Sequence, residues 1–515
     1  MKRCSYTWRE LDEEKRCPEE IWMGSDESCI FHDSSQEKDV NFFRQKLEEK
    51  LEKGDYRFRG YIFPDELHIR KKNFERDVDF TDATFQDADF SGTVFNQNAD
   101  FDRVIFHKDA SFNGASFHKD ASFNGASFHK DASFNGVVFQ LAHFYDAIFQ
   151  SVDFSRATFR DNVDFARAIF RHDVHFNGTI FQASAMFGST FHKSAFFEEA
   201  IFQAKTAFTG DAFHNDAYFI RTAFNGLTIF LNATFHGIAY FSEATFDSSG
   251  FINITFHDLT VFTGSVFKKD IRFMGSVFQD VSFHSAIVER NFEFTASKIR
   301  ELDLRNAQFL FKGHVTTDLS KTGFHRCEFE NVAFVDCKWP EKIYEEILKN
   351  DGNVKLTYKE LEAIYRNLKQ NMQRHGDYSK AGDFYYREME CRKKTMRKKR
   401  FSLDWFKSFG YSLLKYTCGY GEKPERTALS SILTISTFAL LYWVFECLQY
   451  PVQNLTLLHQ IKYTVYFSFV TFTTLGLGDI HPVNDWGILL ICLEAVTGAF
   501  LIALFVVVFA RKMMR

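Results

Sequence analysis

Phenylalanines recur at steps of five or six positions over much of the first two thirds of the chain. The run begins by Phe74 and continues to Phe283, with an irregular register around Met186–Phe197. A small residue often precedes each phenylalanine by two positions, as Ala110 precedes Phe112. Residues two apart on a strand lie on one face, so this pattern predicts that both point inward and that the small residue makes room for the ring.

Each step is long enough for one short extended side and a turn. Four sides close a square coil, and coils stack about 4.8 Å apart. A sixth residue adds a bulge at a corner without moving the inward pair. Residues 74–283 therefore predict about ten coils and a rod of roughly 50 Å. The alternative, a helical solenoid, needs repeats of about 30 residues or more.

One unit, FHKDASFNGAS, occurs nearly verbatim from Phe106, Phe117 and Phe128. This pattern resembles the pentapeptide-repeat family, whose consensus is A-(D/N)-L-x-x, with Phe in place of Leu and steps of five and six alternating. The resemblance implies a right-handed quadrilateral β-helix. Some members mimic DNA with an acidic surface, but here each unit carries one Lys against one Asp, and the chain's net charge is only −5. We therefore expect no nucleic-acid partner.

The histidines of this unit follow the phenylalanines, so we interpret them as repeat surface, with metal binding by such a ladder as the alternative. They are His107, His118 and His129. Residues 284–339 lose the clean period and regain it near Phe324, which predicts a loop or insertion followed by closing coils. Ahead of the repeats, Asp39–Lys53 predicts a charged helix that covers the open first coil.

After Pro340 the pattern becomes helical. Thr357–Glu360 reads as a capping box, Gly376 ends that helix, and Asp377–Arg397 predicts a second helix that packs on it. A packed hairpin is the first interpretation, and a partner or effector site on it is the alternative.

A basic run, Arg392–Arg400, contains seven Lys or Arg residues. It leads into Phe401–Thr417, where apolar and polar residues alternate in a way that predicts an interfacial helix in the lipid headgroups. Gly419–Pro424 then breaks the helix.

Two apolar runs near the C-terminus, Leu429–Leu448 and Trp486–Ala510, each approach the ~20 residues that cross a bilayer as a helix. Between them, Leu457–Thr473 is apolar but too short to cross and return. Such a half-membrane helix followed by glycine-broken backbone is tolerated at membrane depth where it lines a water-filled cavity.

The glycine-broken stretch that follows this short helix is the candidate ion site. It comprises Thr474, Leu475, Gly476, Leu477, Gly478 and Asp479. Glycines at alternate positions let successive carbonyls point one way. Four such strands around an axis can replace the hydration shell of a monovalent cation.

These residues resemble the filter T-V-G-Y-G-D of the two-helix potassium-channel pore family, and the resemblance covers Leu429–Arg515. It implies a homotetramer in which Thr474–Gly478 coordinate potassium, with Asp479 at the outer mouth and Gly498 as the hinge of the second helix. Tyr466 falls in the aromatic pair behind the filter.

There are departures from the family filter. Leu475 replaces Val, Leu477 replaces the usual Tyr or Phe, and Val470 stands where some members carry a Glu that meets the filter Asp. We therefore expect packing, more than hydrogen bonds, to support the filter. Leu at 477 is similar to the filters of some two-pore-domain channels, so potassium selectivity is the first expectation and a less selective cation pore the alternative.

Glu494 is the one acidic residue within the second apolar run, where a carboxylate is costly. It either faces the water-filled cavity or bonds the pore helix behind the filter. The sequence favours the second slightly.

Three early cysteines and one histidine, Cys4, Cys17, Cys29 and His32, can complete a tetrahedral Cys3His site for a structural zinc ion. The segment has few apolar residues for a core, which favours a metal, and three reduced cysteines are the alternative.

The N-terminus lacks the apolar core of a signal peptide, so membrane entry is expected from the late runs. Basic residues flank the spans on one side, which predicts a two-span cell-membrane protein with both termini cytoplasmic. Since Arg515 closely follows the second span, gating force is expected to arrive through Phe401–Thr417 and the first span.

The sequence thus predicts a multidomain protein. Its expected parts are a zinc segment at 1–36, a capping helix and first strands at 37–73, a β-helix at 74–339, a helical hairpin at 340–400, an interfacial helix at 401–426 and a two-helix pore at 427–515. The predicted function is a tetrameric cation channel in the lipid bilayer, not an enzyme, whose gating ligand the sequence does not identify. The alternative is a membrane-anchored β-helix that serves as an interaction scaffold.

Overall fold

The computed structural model describes residues 2–10, 13–35, 38–350, 356–396, 403–450 and 456–513. The chain divides into two compact units, Met1–Tyr344 and Glu345–Arg515. The first is dominated by β-structure and the second by helices.

The first unit contains a β-solenoid of about 12 turns, which confirms the predicted β-helix. One sheet of 38 strands runs from Glu66–His68 to Val332–Phe334. Each strand pairs in parallel with its equivalent in the next coil, as Ile105–Phe106 pairs with residues 127–128. All-parallel pairing follows because every coil repeats the same path one strand spacing further along.

Most solenoid strands contain two to four residues, because a corner interrupts each side. The longer strands run through a corner. They are Ser116–Ser122, Ser127–Ser133, Val138–His143, Ile148–Asp153, Ala223–Leu231, Thr245–Ile252, Thr255–Val261, Ile271–Ser282 and Phe292–Asp303.

The interior matches the predicted pairing of small residue and ring. Ala110 and Phe112 are both buried. The Phe112 ring stacks on that of Phe134 in the next coil, with centroids 4.8 Å apart and planes 2° apart. Rings of adjacent columns meet edge to face, as Phe112 meets Phe123 at 90°. Offset stacking and edge contacts are the arrangements that aromatic quadrupoles prefer, so the columns stabilise one another beyond their burial.

The extra residue of the six-residue steps lies at a corner, as predicted. Pairing between the strands at 116–122 and 138–143 shifts register between Phe117 and Asp120. The inward residues on both sides of the shift stay aligned, with Ala121 opposite Ala142.

Residues 284–339 correct part of the sequence prediction, because they form neither a loop nor an insertion ahead of Phe324, whereas the predicted closing coils are confirmed. They continue the sheet through Ile287–Val288, Phe292–Asp303, Gln308–Phe309, Gly313–Thr316, Thr322–Gly323 and Val332–Phe334. Aliphatic side chains such as Val288, Leu302 and Val315 are buried in place of phenylalanine. The geometry persists although the residue that marked it has changed.

Helix α1, Val40–Glu52, precedes the solenoid and begins at Asp39, whose side chain accepts a hydrogen bond from the Phe42 N–H. Its buried Phe43 meets Phe63 edge to face at 5.5 Å. Phe63 in turn stacks on Phe85, so α1 packs against the first ring of a column. Before α1, the strands Thr7–Glu10 and Glu13–Arg16 form an antiparallel hairpin.

The helical unit includes a packed hairpin. After α2, Tyr344–Asn350, come α3, Tyr358–Arg374, and α4, Tyr378–Thr395. A capping box at Thr357 and Glu360 starts α3, as predicted. Buried faces of the two helices meet. They contain Leu361, Ile364, Tyr365, Leu368 and Met372 of α3 and Ala381, Phe384 and Met389 of α4.

Helix α5, Leu403–Cys418, and a 3-10 turn at Gly419–Gly421 lead into three further helices. These are α6, Pro424–Val444, α7, Leu457–Phe472, and α8, Asp485–Met513. Helices α6 and α8 are long and apolar enough to span a membrane, with mean hydropathy 1.6 and 2.6.

The first span differs from the apolar run that predicted it. It begins at Pro424, whose fixed φ suits a first helical position, rather than at 427 or 429. It ends at Val444, because Leu448–Gln449 instead pairs with His481–Pro482 as a short antiparallel ribbon. The apolar run therefore extends beyond the helix into a ribbon whose two strands flank α7 and residues 474–479 in the sequence.

Candidate ion pathway and metal centre

The predicted filter follows directly from the end of α7. Thr473 caps that helix with αR geometry, and the chain then leaves it. Thr474, Gly476 and Gly478 have φ of 56°, 54° and 76°, whereas the leucines between them do not have positive φ. Alternation of left-handed and ordinary backbone turns successive carbonyls to the same side. Residues 474–479 are exposed on the single chain, as a lining surface must be.

The filter is supported by a hydrogen bond that the sequence prediction missed. The Tyr466 hydroxyl donates to Asp479 Oδ2 across 2.9 Å, joining the middle of α7 to the last residue of the predicted filter. Packing was expected to support this segment more than hydrogen bonds do, and the Tyr466 bond adds one polar contact to that expectation. The sequence did contain a signal for this bond, because Tyr466 belongs to the aromatic pair behind the predicted filter and its hydroxyl can donate.

Glu494 of α8 is fully buried, and its carboxyl lies against the pore helix rather than in an open cavity. The Tyr442 hydroxyl of α6 lies 2.8 Å from Oε2. The Ser468 hydroxyl of α7 contacts Oε1, and it also lies 2.8 Å from the Ile435 carbonyl oxygen of α6. Three helices therefore meet at one carboxyl group.

Gly498 lies one turn beyond Glu494 on α8, at a close approach between helices. A Cβ at this position would stand 2.3 Å from the Phe472 carbonyl oxygen at the end of α7. Helix α8 is continuous through Gly498. The glycine therefore allows the inner helix to touch the backbone of the pore helix, a constraint that exists whether or not it also acts as a hinge.

At the other end of α8, Arg511 contacts the segment that leads into the first span. Its guanidinium lies 3.1 Å from Glu422 and 5.3 Å from the ring centroid of Tyr385 on α4. The expected route for gating force ran through α5 and the first span alone. The structure adds a direct contact between the hairpin and the inner helix.

A second polar junction joins α4 to α5 and the 3-10 turn. Glu390 of α4 accepts hydrogen bonds from Lys415 Nζ and the Tyr420 hydroxyl, each at 2.6 Å. Burial would raise the pKa of Glu390, but these hydrogen bonds and the Lys415 charge outweigh it and lower that pKa. Burial and the same contact raise the pKa of Tyr420.

The four predicted metal ligands come together in the first unit. All are buried, and their ligand atoms lie within 4.8 Å of one another. His32 Nδ1 is 3.1 Å from Cys29 Sγ and 3.6 Å from Cys4 Sγ. His32 Nε2 lies 3.0 Å from the Arg59 carbonyl oxygen, which can only accept, so the proton is on Nε2 and the Nδ1 lone pair faces the sulfurs. The donor set and its orientation fit a tetrahedral metal site.

The histidine ladder is a different arrangement. His107 and His129 are neighbours with ring centroids 5.2 Å apart, whereas His118 in another column bonds Asn96. Further along, His192, His214, His236 and His257 stack in a row. Across the described ranges, the one close group of three or more metal-type ligands is the Cys3His cluster.

Comparison with known families agrees with both halves of this architecture. A family model described as "Ion channel" matches residues 432–515. A second, described as "Pentapeptide repeats (9 copies)", matches residues 73–116 and 112–156. No curated protein and no solved structure matches the chain. Residues 432–515 are thus similar to the ion channel family, and they follow a solenoid of which residues 73–156 are similar to pentapeptide repeats.

Proposed function

We propose that the protein is a tetrameric, potassium-selective channel whose cytoplasmic solenoid regulates gating. The alternation of positive φ at Thr474, Gly476 and Gly478, directly after a pore helix between two spans, carries this proposal. Four copies around an axis present rings of backbone carbonyls, which take the place of water around a dehydrated cation.

The residues of the proposed filter have distinct roles. Thr474–Gly478 supply the coordinating oxygens, and Asp479 lies at the outer mouth, held by Tyr466. Leu477 offers no hydroxyl to the surrounding helices, so the Tyr466 bond is a main polar restraint on this part of the filter. Potassium is the transported species.

Reconstitution into vesicles with opposed potassium and sodium gradients tests the function and the selectivity together. Gly476→Ala forces a side chain into left-handed backbone and is expected to abolish flux. Gly410→Ala is the control, because its Cβ meets nothing within 4 Å and its φ is not positive. Equal sodium and potassium flux would favour the less selective pore. Absence of flux from tetrameric protein would favour the membrane-anchored scaffold.

We further propose that both termini are cytoplasmic and that α5 lies in the headgroups of the inner leaflet. Its apolar side chains Phe406, Phe409, Leu413 and Tyr416 are exposed. Arg392, Lys393 and Lys394 end α4 nearby in sequence, and the rest of the basic run, 397–400, lies outside the described residues. Exposed aromatic residues beside a basic segment are typical of an interfacial helix. Fluorescence quenching of Trp405 by brominated lipid tests this placement.

Regulation is proposed to act through the first span and through Arg511. A ligand gates only if it binds the open and closed states differently, and the chemistry of that ligand is open. Arg511 contacts Glu422 and Tyr385, so a movement of the hairpin can be transmitted to α8 directly.

We propose that the Cys3His cluster holds a structural zinc ion, because four protein ligands fill a tetrahedral shell and leave no open position. Elemental analysis of the purified protein is expected to give one zinc per chain. Cys29→Ser should lose it, whereas Cys337→Ser, outside the cluster, should not. Retention of zinc by Cys29→Ser would refute the assignment.

A further inference from the structure

The hydrogen-bond contacts around Glu494 outnumber the hydrogens that its neighbours can donate. Three contacts connect the group: Tyr442 hydroxyl to Oε2, Ser468 hydroxyl to Oε1, and Ser468 hydroxyl to the Ile435 carbonyl oxygen. Tyr442 and Ser468 each supply one hydrogen, and a carbonyl oxygen supplies none. Two hydrogens cannot serve three contacts.

A proton on the carboxyl group resolves this count. Glu494 then donates through Oε1 to Ser468, Ser468 donates to Ile435, and Tyr442 donates to Oε2. Each of these hydroxyl, carboxyl and carbonyl groups then has a partner, as buried polar groups require. Among the residues that the structure describes, no salt bridge pairs Glu494 with a basic side chain, so no cation is present to favour the ionised form.

We propose that Glu494 is a protonated positioning residue of the ion pathway, whose carboxylic acid fixes the pore helix between the inner and outer helices. It touches no transported ion. It acts through Ser468, which lies on α7 six positions before Thr474, where the proposed filter begins. The part of this inference that concerns conduction rests on the proposed channel function.

The contact between Glu494 and Ser468 lies where it can fix the position of the filter. Helix α7 contacts α8 at Glu494 and again at Gly498, where backbone meets backbone. The carbonyl oxygens of the filter are set by the position of the end of α7. A displacement of α7 along α8 would misplace all of them, since filter geometry depends on fixed oxygen positions.

Substitutions at Glu494 distinguish a protonated carboxyl group from an ionised one. Glu494→Gln keeps a donor towards Ser468 and an acceptor for Tyr442, so we expect flux and potassium selectivity close to wild type. Glu494→Ala removes both bonds and should lower potassium selectivity by about tenfold, since two buried hydrogen bonds are worth more than one factor of ten. Thr497→Val is the control, because its hydroxyl bonds within its own helix.

Infrared spectroscopy tests the proton independently of conduction. The expected result is a carboxylic-acid carbonyl band in the difference spectrum of wild type minus Glu494→Gln at neutral pH, in which the bands of all other protonated carboxyl groups cancel. Loss of selectivity in Glu494→Gln equal to that in Glu494→Ala would overturn the proposal, as would absence of the band. If the wild-type protein carried no flux but showed the band, the channel function would fail while the protonation state stood.

Discussion

At position 211 an aspartate occupies the inward place that small residues take elsewhere in the solenoid. Its neighbours in the adjacent coils are Ser189 and Ala233. One oxygen accepts the Ser189 N–H at 2.8 Å, and the other accepts no hydrogen bond among the described residues. Burial raises the pKa of Asp211 to about 7, against an ordinary value of 3.8.

This raised pKa predicts a loss of stability as pH rises. The folded protein keeps the Asp211 proton up to about pH 7, whereas the unfolded chain releases it near 3.8. The contribution is therefore complete below pH 3.8 and declines to about pH 7. Asp211→Ala should raise the free energy of unfolding by roughly 2–4 kcal/mol at pH 8 and by much less at pH 4.

Thermal or urea unfolding of the full chain at several pH values measures this effect. Asp211→Asn is the matched variant, because it keeps the volume of the side chain and cannot ionise. It should show the same loss of pH dependence. An unchanged pH dependence in both variants would mean that Asp211 is ionised in the folded state.

Gly498 gives a prediction that distinguishes packing from hinge motion. A Cβ there would meet the Phe472 carbonyl oxygen at 2.3 Å, so Gly498→Ala must push α8 away from α7. We expect a destabilisation of roughly 1–3 kcal/mol, typical of overpacking. A pure hinge role predicts the opposite, because alanine favours the helix over glycine.

Unfolding of the full chain in detergent, with Gly410→Ala as the reference substitution, decides between them. Glycine 410 lies in α5 with open space around it, so its replacement reports only the change in helix propensity. A stable Gly498→Ala variant with altered open probability would favour the hinge.

At the scale of elements, one carboxylate of α4 contacts both α5 and the 3-10 turn. The Glu390 carboxylate accepts hydrogen bonds from both Lys415 and Tyr420. Its lowered pKa means that this junction stabilises the protein above the ordinary pKa of 4.5 and weakens as pH falls through the lower folded value.

Glu390→Gln should therefore loosen the hairpin from α5 at neutral pH. In a double-mutant cycle with Lys415→Met we expect a coupling energy of roughly 1 kcal/mol in the free energy of unfolding. Glu425→Gln, at an exposed position in the first turn of α6, is the control. Additive effects of the two substitutions at 390 and 415 would contradict the junction.

The elements that the sequence predicted well are those whose pattern repeats or whose ends carry a local signal. The period of phenylalanines predicted the solenoid because every coil needs the same inward residue. Where Val288 and Leu302 replace phenylalanine the core persists but the marker is lost, so the part of residues 284–339 before Phe324 was misassigned, whereas the closing coils were predicted. The capping box of α3 was predicted because it is complete within four residues.

Contacts between distant segments were beyond the sequence pattern. The bond from Tyr466 to Asp479 requires the path of residues 474–479, and the bond from Tyr442 to Glu494, unlike the favoured contact with the pore helix, requires α6 in place. Arg511 meets Glu422 and Tyr385 only because α8 returns to the level of the hairpin. Side-chain types showed which residues needed explanation, whereas tertiary packing decided their partners.

At the scale of the whole molecule, the ring of carbonyls requires more than one chain. A single copy presents residues 474–479 to solvent, and only copies around an axis can enclose a cation with them. Protein that stayed monomeric both in detergent and in lipid would therefore exclude the proposed pore, whatever the geometry of each filter.

The division of the chain into a solenoid unit and a helical unit yields the last prediction. The helical unit, Glu345–Arg515, is compact by itself and contains the hairpin, both candidate spans and the proposed filter. Removal of residues 1–340 should therefore leave potassium flux and selectivity intact while changing the open probability in planar bilayers. Removal of residues 1–36 alone separates the effect of the cysteine cluster from that of the solenoid. Open probability unchanged under all conditions would reject a regulatory role, and loss of assembly would instead assign the solenoid to tetramer formation.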